Sequence, residues 1–194
     1  MSSLARSTCM TSCARAWSDP PSVLAMMRTP VAAAAIRLLV LDVDGVLTDG
    51  RLYFGARGEA LKTFHAHDGY GIRKLIAAGV AVAVISGRRS AAVSVRCREL
   101  GIAHVMQGAT DKLAAFERLR KRTQVAARAC ACVGDDLPDV PLFGAVGLAF
   151  AVADAHPLAR RAAHHVTKLP GGMGAVREVC DRLLAAQPRP AAVR

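Results

Sequence analysis

Aromatic side chains are scarce: one Trp, two Tyr and five Phe in 194 residues. That leaves little surface for stacking bases, and no nucleic-acid-binding motif is present, so nucleic acid is not an expected partner. Acids are few as well, 15 against 26 Lys and Arg, for a net charge of +11. Residues 1–35 contribute only +2 of this, through Arg6, Arg15 and Arg28 against Asp19. The remaining basic residues are scattered over several segments, which suits a small anionic substrate better than a polyanion. No apolar run approaches the roughly 20 residues of a membrane span, so no membrane partner is expected. Cysteine is present without a pairing pattern. Cys97 falls in a helical pattern, and Cys130 and Cys132 lie in an apolar run where a free thiol acts as a small hydrophobe. Cys9 and Cys13 have no neighbouring His or second Cys pair to complete a metal site. These are expected to be reduced thiols of a cytoplasmic protein.

The first 35 residues are rich in Ser, Thr, Ala and Arg, with no periodic apolar face and no secretory pattern. They read as an extension, or as an upstream start with the functional one near Met26 or Met27. One domain is expected over 36–187, with a short tail over 188–194. Within it, apolar runs at 38–41, 80–85, 130–133 and 146–152 read as strands, and 104–106 and 165–167 as shorter ones. Segments 69–78, 90–100, 111–122, 155–163 and 173–186 read as helices. Such alternation predicts an α/β fold, a mostly parallel Rossmann-like sheet with helices on both faces. Residues 51–64 break the alternation and read as a β-hairpin projecting as a lid or an assembly surface.

The first strand ends in Leu41-Asp42-Val43-Asp44-Gly45-Val46-Leu47-Thr48-Asp49-Gly50. Alternation along a strand starts Asp42 and Asp44 on the same side, where the chain leaves the sheet. Two carboxylates there repel unless a cation or a proton answers them. The pair suits a nucleophile, a proton carrier and a divalent metal, although a strand-end turn capped by Asp and Gly has the same composition. Three further strand-end features come after it in order. They are Ser86-Gly87-Arg88, then Lys112 after Gly108-Ala109-Thr110-Asp111, then Gly134-Asp135-Asp136. Each alone is an ordinary turn or cap. In this order they are what phosphoryl transfer needs: an anionic nucleophile, a proton carrier, a hydroxyl and a cation for the phosphoryl oxygens, and acids for Mg²⁺. His156-Pro157 and His164-His165 lack acidic neighbours in sequence and are expected to be structural.

The ordered set resembles the haloacid-dehalogenase superfamily of phosphohydrolases. The fuller pattern is similar to that of the 3-deoxy-D-manno-octulosonate 8-phosphate phosphatase family. It includes Asp68-Gly69-Tyr70-Gly71-Ile72, Gly134-Asp135-Asp136-Leu137, Val152-Ala153-Asp154-Ala155-His156-Pro157 and Gly174-Ala175-Val176-Arg177-Glu178. That resemblance implies a capless haloacid-dehalogenase-like fold, a homotetramer and an acidic sugar phosphate substrate. It implies Asp42 as nucleophile, Asp44 as general acid then base, Ser86 and Lys112 on the phosphoryl group. Mg²⁺ is implied on Asp42, the Asp44 carbonyl and Asp135, with Asp136 in support. Asp44, His65, Ala66, His67, Asp68, Gly69, Arg73, Arg88, Arg96 and Lys112 are implied as substrate contacts, some reaching a neighbouring subunit's site. The chain departs from the family pattern at His65 and His67, where Asn and Arg are usual. Ser86 stands in place of the commoner Thr, and Met173 where Arg is common. Two alternatives stay open: a phosphatase for another acidic sugar phosphate, such as a nine-carbon one, and a non-catalytic oligomerisation module.

Overall fold

The computed structural model describes residues 32–56 and 58–187; the extension expected over 1–35 and the tail over 188–194 fall almost entirely outside them. Six strands form one parallel sheet: β1 (Leu38–Leu41), β4 (Ala81–Ser86), β5 (His104–Gln107), β6 (Cys130–Gly134), β7 (Leu148–Ala151) and β8 (His165–Val166). Their order is β5-β4-β1-β6-β7-β8, so β1 is central and the chain reverses its direction of travel across the sheet there. β1 is buried along its whole length, as are the β6 and β7 runs. A parallel strand covered on both faces has no polar side to show, hence Leu38-Leu39-Val40-Leu41 without alternation. Register brings the strand ends together: Leu41 lies opposite Val84 on one side and Val133 on the other. The strand ends carrying the candidate residues are therefore adjacent, and in such sheets ligands sit beyond these carboxyl ends, at the reversal.

Six helices cover the sheet: α1 (Ala66–Ala77), α2 (Ala91–Leu100), α3 (Lys112–Thr123), α4 (Val140–Ala145), α5 (Pro157–Ala162) and α6 (Ala175–Ala186). α1 lies against α6 at close range, because Gly71 has no Cβ; one there would meet Cys180 Cβ at 3.1 Å and Arg177 Cδ at 2.9 Å. α3 starts at Asp111, whose side chain accepts from Ala114 N–H at 2.9 Å, so Lys112 occupies the first helical position. α1 begins three residues before the expected 69 and α6 two after the expected 173, and two further differences have a local cause. α5 begins only at Pro157, because a residue preceding proline is pushed into extended backbone, as His156 is at ψ 139°. α4 has no counterpart in the sequence pattern; six residues holding Pro141 and Gly144 are too short to show a helical period.

The hairpin is β2 (Tyr53–Gly55) paired antiparallel with β3 (Gly58–Leu61), shorter than the 51–64 read from sequence. It forms its own two-stranded sheet and exposes Leu52, Phe54 and Leu61. No helix among the described residues is long and apolar enough to cross a membrane.

Candidate active site

Asp42 follows β1, with its N–H donating to Val133 O at 3.1 Å, and the chain then turns sharply. Val43 O accepts from the N–H groups of Val46, Leu47 and Thr48, which closes that turn. The Thr48 hydroxyl, itself buried, donates to Val43 O at 3.3 Å and accepts from Gly45 and Gly50 N–H. A backbone tied this tightly holds Asp44 at a set place one residue beyond Val43. The result is an open cavity of about 460 Å³ at the strand ends, lined by Asp42, Asp44, Ser86, Arg88, Lys112 and Asp135 among others. Asp42, Asp44, Ser86, Lys112 and Asp135, each expected from the sequence to serve phosphoryl transfer, therefore share one space.

Charge decides what that space can hold. Lys112 Nζ lies 2.9 Å from Asp42 Oδ2 and 2.6 Å from Asp139 Oδ1, with all three side chains nearly out of solvent. Burial opposes the ammonium charge, but Asp42 and Asp139 outweigh it and raise the Lys112 pKa. Burial, then the nearby Asp139, pushes Asp42 up to about 6. Asp135 goes up to about 8, by burial and then by the Asp42 and Asp139 charges. Oxygens of Asp42, Asp135 and Asp139 lie within 4.8 Å of one another. Three carboxylates answered by one ammonium leave a surplus of negative charge in a poorly hydrated place. An oxygen-only donor set with that surplus fits a hard divalent cation such as Mg²⁺.

Asp135 reaches the cluster because Gly45, at φ +86°, has no side chain; a Cβ there would overlap the Asp135 carboxylate. The Asp44–Gly45 peptide is thereby set beside that carboxylate. A Gly45→Ala variant is expected to displace Asp135 and strain the turn. Its Mg²⁺ affinity should fall by at least about tenfold, measured by titration calorimetry; unaltered affinity would show that Asp135 is not a ligand.

Three participants were missed in the sequence. Asp139 does more than Asp136: besides binding Lys112, its Oδ2 accepts from Asp135 and Asp136 N–H at 3.2 and 3.4 Å. Asp136 accepts from Leu137 N–H at 2.8 Å and caps the short 3-10 turn Leu137–Asp139. The signal was the Asp136-x-x-Asp139 spacing, a capping-box pattern. Lys62 and Glu59 were the others. Lys62, just past β3, pairs with Asp44 Oδ1 and lies 3.2 Å from Glu59 Oε2. Neither carried a signal, since hairpin residues reach the site only through tertiary folding.

Ser86 is buried, and its Oγ accepts from Arg88 N–H at 3.3 Å. Arg88 lines the cavity with its side chain 42% exposed. Of the expected substrate contacts, Asp44, Arg88 and Lys112 line this cavity, and His65–Gly69, Arg73 and Arg96 do not. Asp68 is buried and accepts from Arg177 N–H at 2.7 Å, tying α1 to α6. Gly69 gives room to the Arg96 guanidinium, which pairs with Glu99 at 2.9 Å and lies over Phe64. His65 precedes α1, Ala66 opens it, and Arg73 is exposed on it. His67 and Met173 border a separate cavity with Arg177 and Lys168.

A family model described as haloacid dehalogenase-like hydrolase matches residues 98–176. The 3-deoxy-D-manno-octulosonate 8-phosphate (KDO 8-phosphate) phosphatase of Yersinia pestis is 52% identical over 157 residues, covering 81% of this chain and 84% of that protein. The chain belongs to the KDO 8-phosphate phosphatase family of haloacid dehalogenase-like hydrolases. Solved structures of that family agree. The Yersinia pestis enzyme superposes with a TM-score of 0.79 over 80% of this chain and 84% of that one. The Moraxella catarrhalis KDO 8-phosphate phosphatase, 40% identical, superposes at 0.78 over 80% of this chain and 90% of that one. It was solved in complex with a magnesium ion, a phosphate ion and KDO.

Proposed function

We propose that this member of the KDO 8-phosphate phosphatase family hydrolyses KDO 8-phosphate to the free sugar acid and phosphate. The reading is carried by one observation, the convergence of Asp42, Asp44, Ser86, Lys112 and Asp135 on a single cavity at the reversal of the sheet. Names of relatives at 52% and 54% identity support the substrate, and the product supplies lipopolysaccharide assembly. Mg²⁺ is the proposed cofactor, held by Asp42, Asp135 and the Asp44 carbonyl; when bound, it would offset negative charge on the phosphoryl oxygens.

The chain's own residues supply the rest. A carboxylate oxygen of Asp42 attacks phosphorus, the bond to the sugar oxygen breaks, and Asp44 gives that oxygen its proton. The aspartyl-phosphate is then opened by water, whose proton returns to Asp44. Lys112 keeps Asp42 aimed and its charge tolerable, and the Ser86 hydroxyl is placed to bind a phosphoryl oxygen. Arg88 offers a bidentate fork to the sugar carboxylate, which a Lys could not match. Homotetramer assembly is proposed through the apolar hairpin, with some of His65–Gly69, Arg73 and Arg96, the exposed His67 and Arg73 first among them, reaching a neighbour's substrate. Exposed Leu52, Phe54 and Leu61 support that surface. A cytoplasmic setting suits Cys97, Cys130, Cys132 and Cys180, which are buried free thiols.

The test is phosphate release from KDO 8-phosphate and from a nine-carbon sugar acid 9-phosphate, with Mg²⁺ and with chelator. KDO 8-phosphate is expected to be preferred, on the order of tenfold or more in kcat/KM, and chelation to stop turnover. Preference for the nine-carbon ester would transfer the chain to another substrate. No release from either would leave a non-catalytic module.

A further inference from the structure

Lys62 is out of place for a hairpin lysine. Its side chain is only 1% exposed, and its ammonium lies between two carboxylates, Asp44 Oδ1 and Glu59 Oε2. A buried ammonium persists only where acids answer it, and here one of those acids is the proposed proton carrier. Arg88 also approaches Asp44, yet its Nε stays 3.9 Å from Oδ2 and much of it faces solvent. The fixed partner of Asp44 is Lys62.

The hairpin itself is fastened around this pair. Glu59 Oε2 lies 3.6 Å from Arg88 Nη2, and the Arg88 guanidinium sits 5.8 Å from the centre of the Phe54 ring. β2 and β3 thus hold the mouth of the cavity at three points. With Oδ1 taken by Lys62, Oδ2 of Asp44 is left on the side of Arg88, which lines the cavity.

We infer that Lys62 is a positioning residue: it locks the Asp44 carboxylate in the orientation needed for proton transfer to the leaving sugar oxygen, and Glu59 holds Lys62 in place. The inference rests on the proposed acid–base role of Asp44. It also gives the hairpin a share in the chemistry within one subunit, apart from any part in assembly.

Leaving-group dependence separates positioning from general damage. A sugar alkoxide needs a proton as it departs, whereas 4-nitrophenolate departs without one. kcat/KM reports steps through that departure and is blind to later opening of the aspartyl-phosphate. For Lys62→Met, kcat/KM for KDO 8-phosphate should fall about 100-fold, and that for 4-nitrophenyl phosphate by less than about fivefold. Lys62→Arg should recover most of the sugar-ester loss. Asp44→Asn is the control and should show the same split, only larger. If Asp44→Asn splits the substrates but Lys62→Met lowers both in parallel, or neither, the inference is wrong and the role of Asp44 stands. If Asp44→Asn gives no split, the acid–base reading fails and this inference with it. Should Lys62→Met not fold, Lys62→Gln keeps an N–H donor and must give the same split at smaller size.

Discussion

An Asp42→Asn variant is expected to lose turnover by at least about 10⁴-fold while keeping its fold and its melting temperature. The two side chains have the same shape, so a buried position beside β1 accepts either. Chemistry is where they differ, because an amide oxygen does not form the phosphoryl ester that a carboxylate does. Stability should not suffer. Removing one partner of a buried ion pair ordinarily costs about 3–5 kcal/mol, since a charge is stranded. Here Lys112 has two acids, and Asp139 stays at 2.6 Å after Asp42 is neutralised. The variant also removes a carboxylate whose pKa burial has pushed up to about 6, which is a charge the fold holds at a cost. Steady-state phosphate release and thermal unfolding measure the two halves. A variant that keeps full activity would falsify the covalent route through Asp42, and one that unfolds would mean Lys112 depends on both acids.

Much of this site is legible in the chain's local pattern, for a physical reason. Parallel strands buried on both faces appear as short apolar runs, and the catalytic groups of such a sheet sit at the ends of those runs. Asp42, Ser86 and Asp135 are therefore legible as an ordered set of strand-end turns, though each alone is an ordinary turn, and Lys112 joins the set at the capped helix start after Asp111. Asp139 is half legible: its spacing from Asp136 reads as a cap, but only the fold turns its other oxygen onto Lys112. Lys62 and Glu59 are not legible. They belong to an irregular hairpin whose register shifts between Tyr53 and Phe54, so no period tells which side chains point inward. Asp68 and Gly69 teach the converse. The family resemblance assigns them to substrate, whereas in a single subunit Asp68 bonds the start of α6 and Gly69 admits Arg96. Such residues can serve packing and binding together, and local sequence does not separate the two.

In metal-free protein, stability is expected to fall as pH rises from 5 to 8, the reverse of ordinary acid denaturation. Asp42 and Asp135 both have folded-state pKa values above the unfolded carboxyl range, pushed up to about 6 and about 8 by burial and by neighbouring acids. Above about pH 4 the unfolded chain has released these protons while the folded chain still holds them. The folded state then binds more protons, so unfolding free energy decreases with pH until the folded groups ionise too. Lys112 does not cancel this, because its raised pKa leaves it charged throughout the window. The loss should read as a Tm several degrees lower at pH 8 than at pH 5. A divalent ion bound there would take the place of those protons. Mg²⁺ at about 100 times its Kd adds about 2.7 kcal/mol at pH 8, and less at pH 5, where protons compete for the same oxygens. Asp135→Asn should flatten the pH slope and shrink the Mg²⁺ effect together, since one carboxylate feeds both. Scanning calorimetry at pH 5 and pH 8, with chelator and with Mg²⁺, reads all of this. Equal melting temperatures at the two pH values in chelator, with Mg²⁺ stabilising alike at both, would mean that these carboxylates are not the ion's ligands.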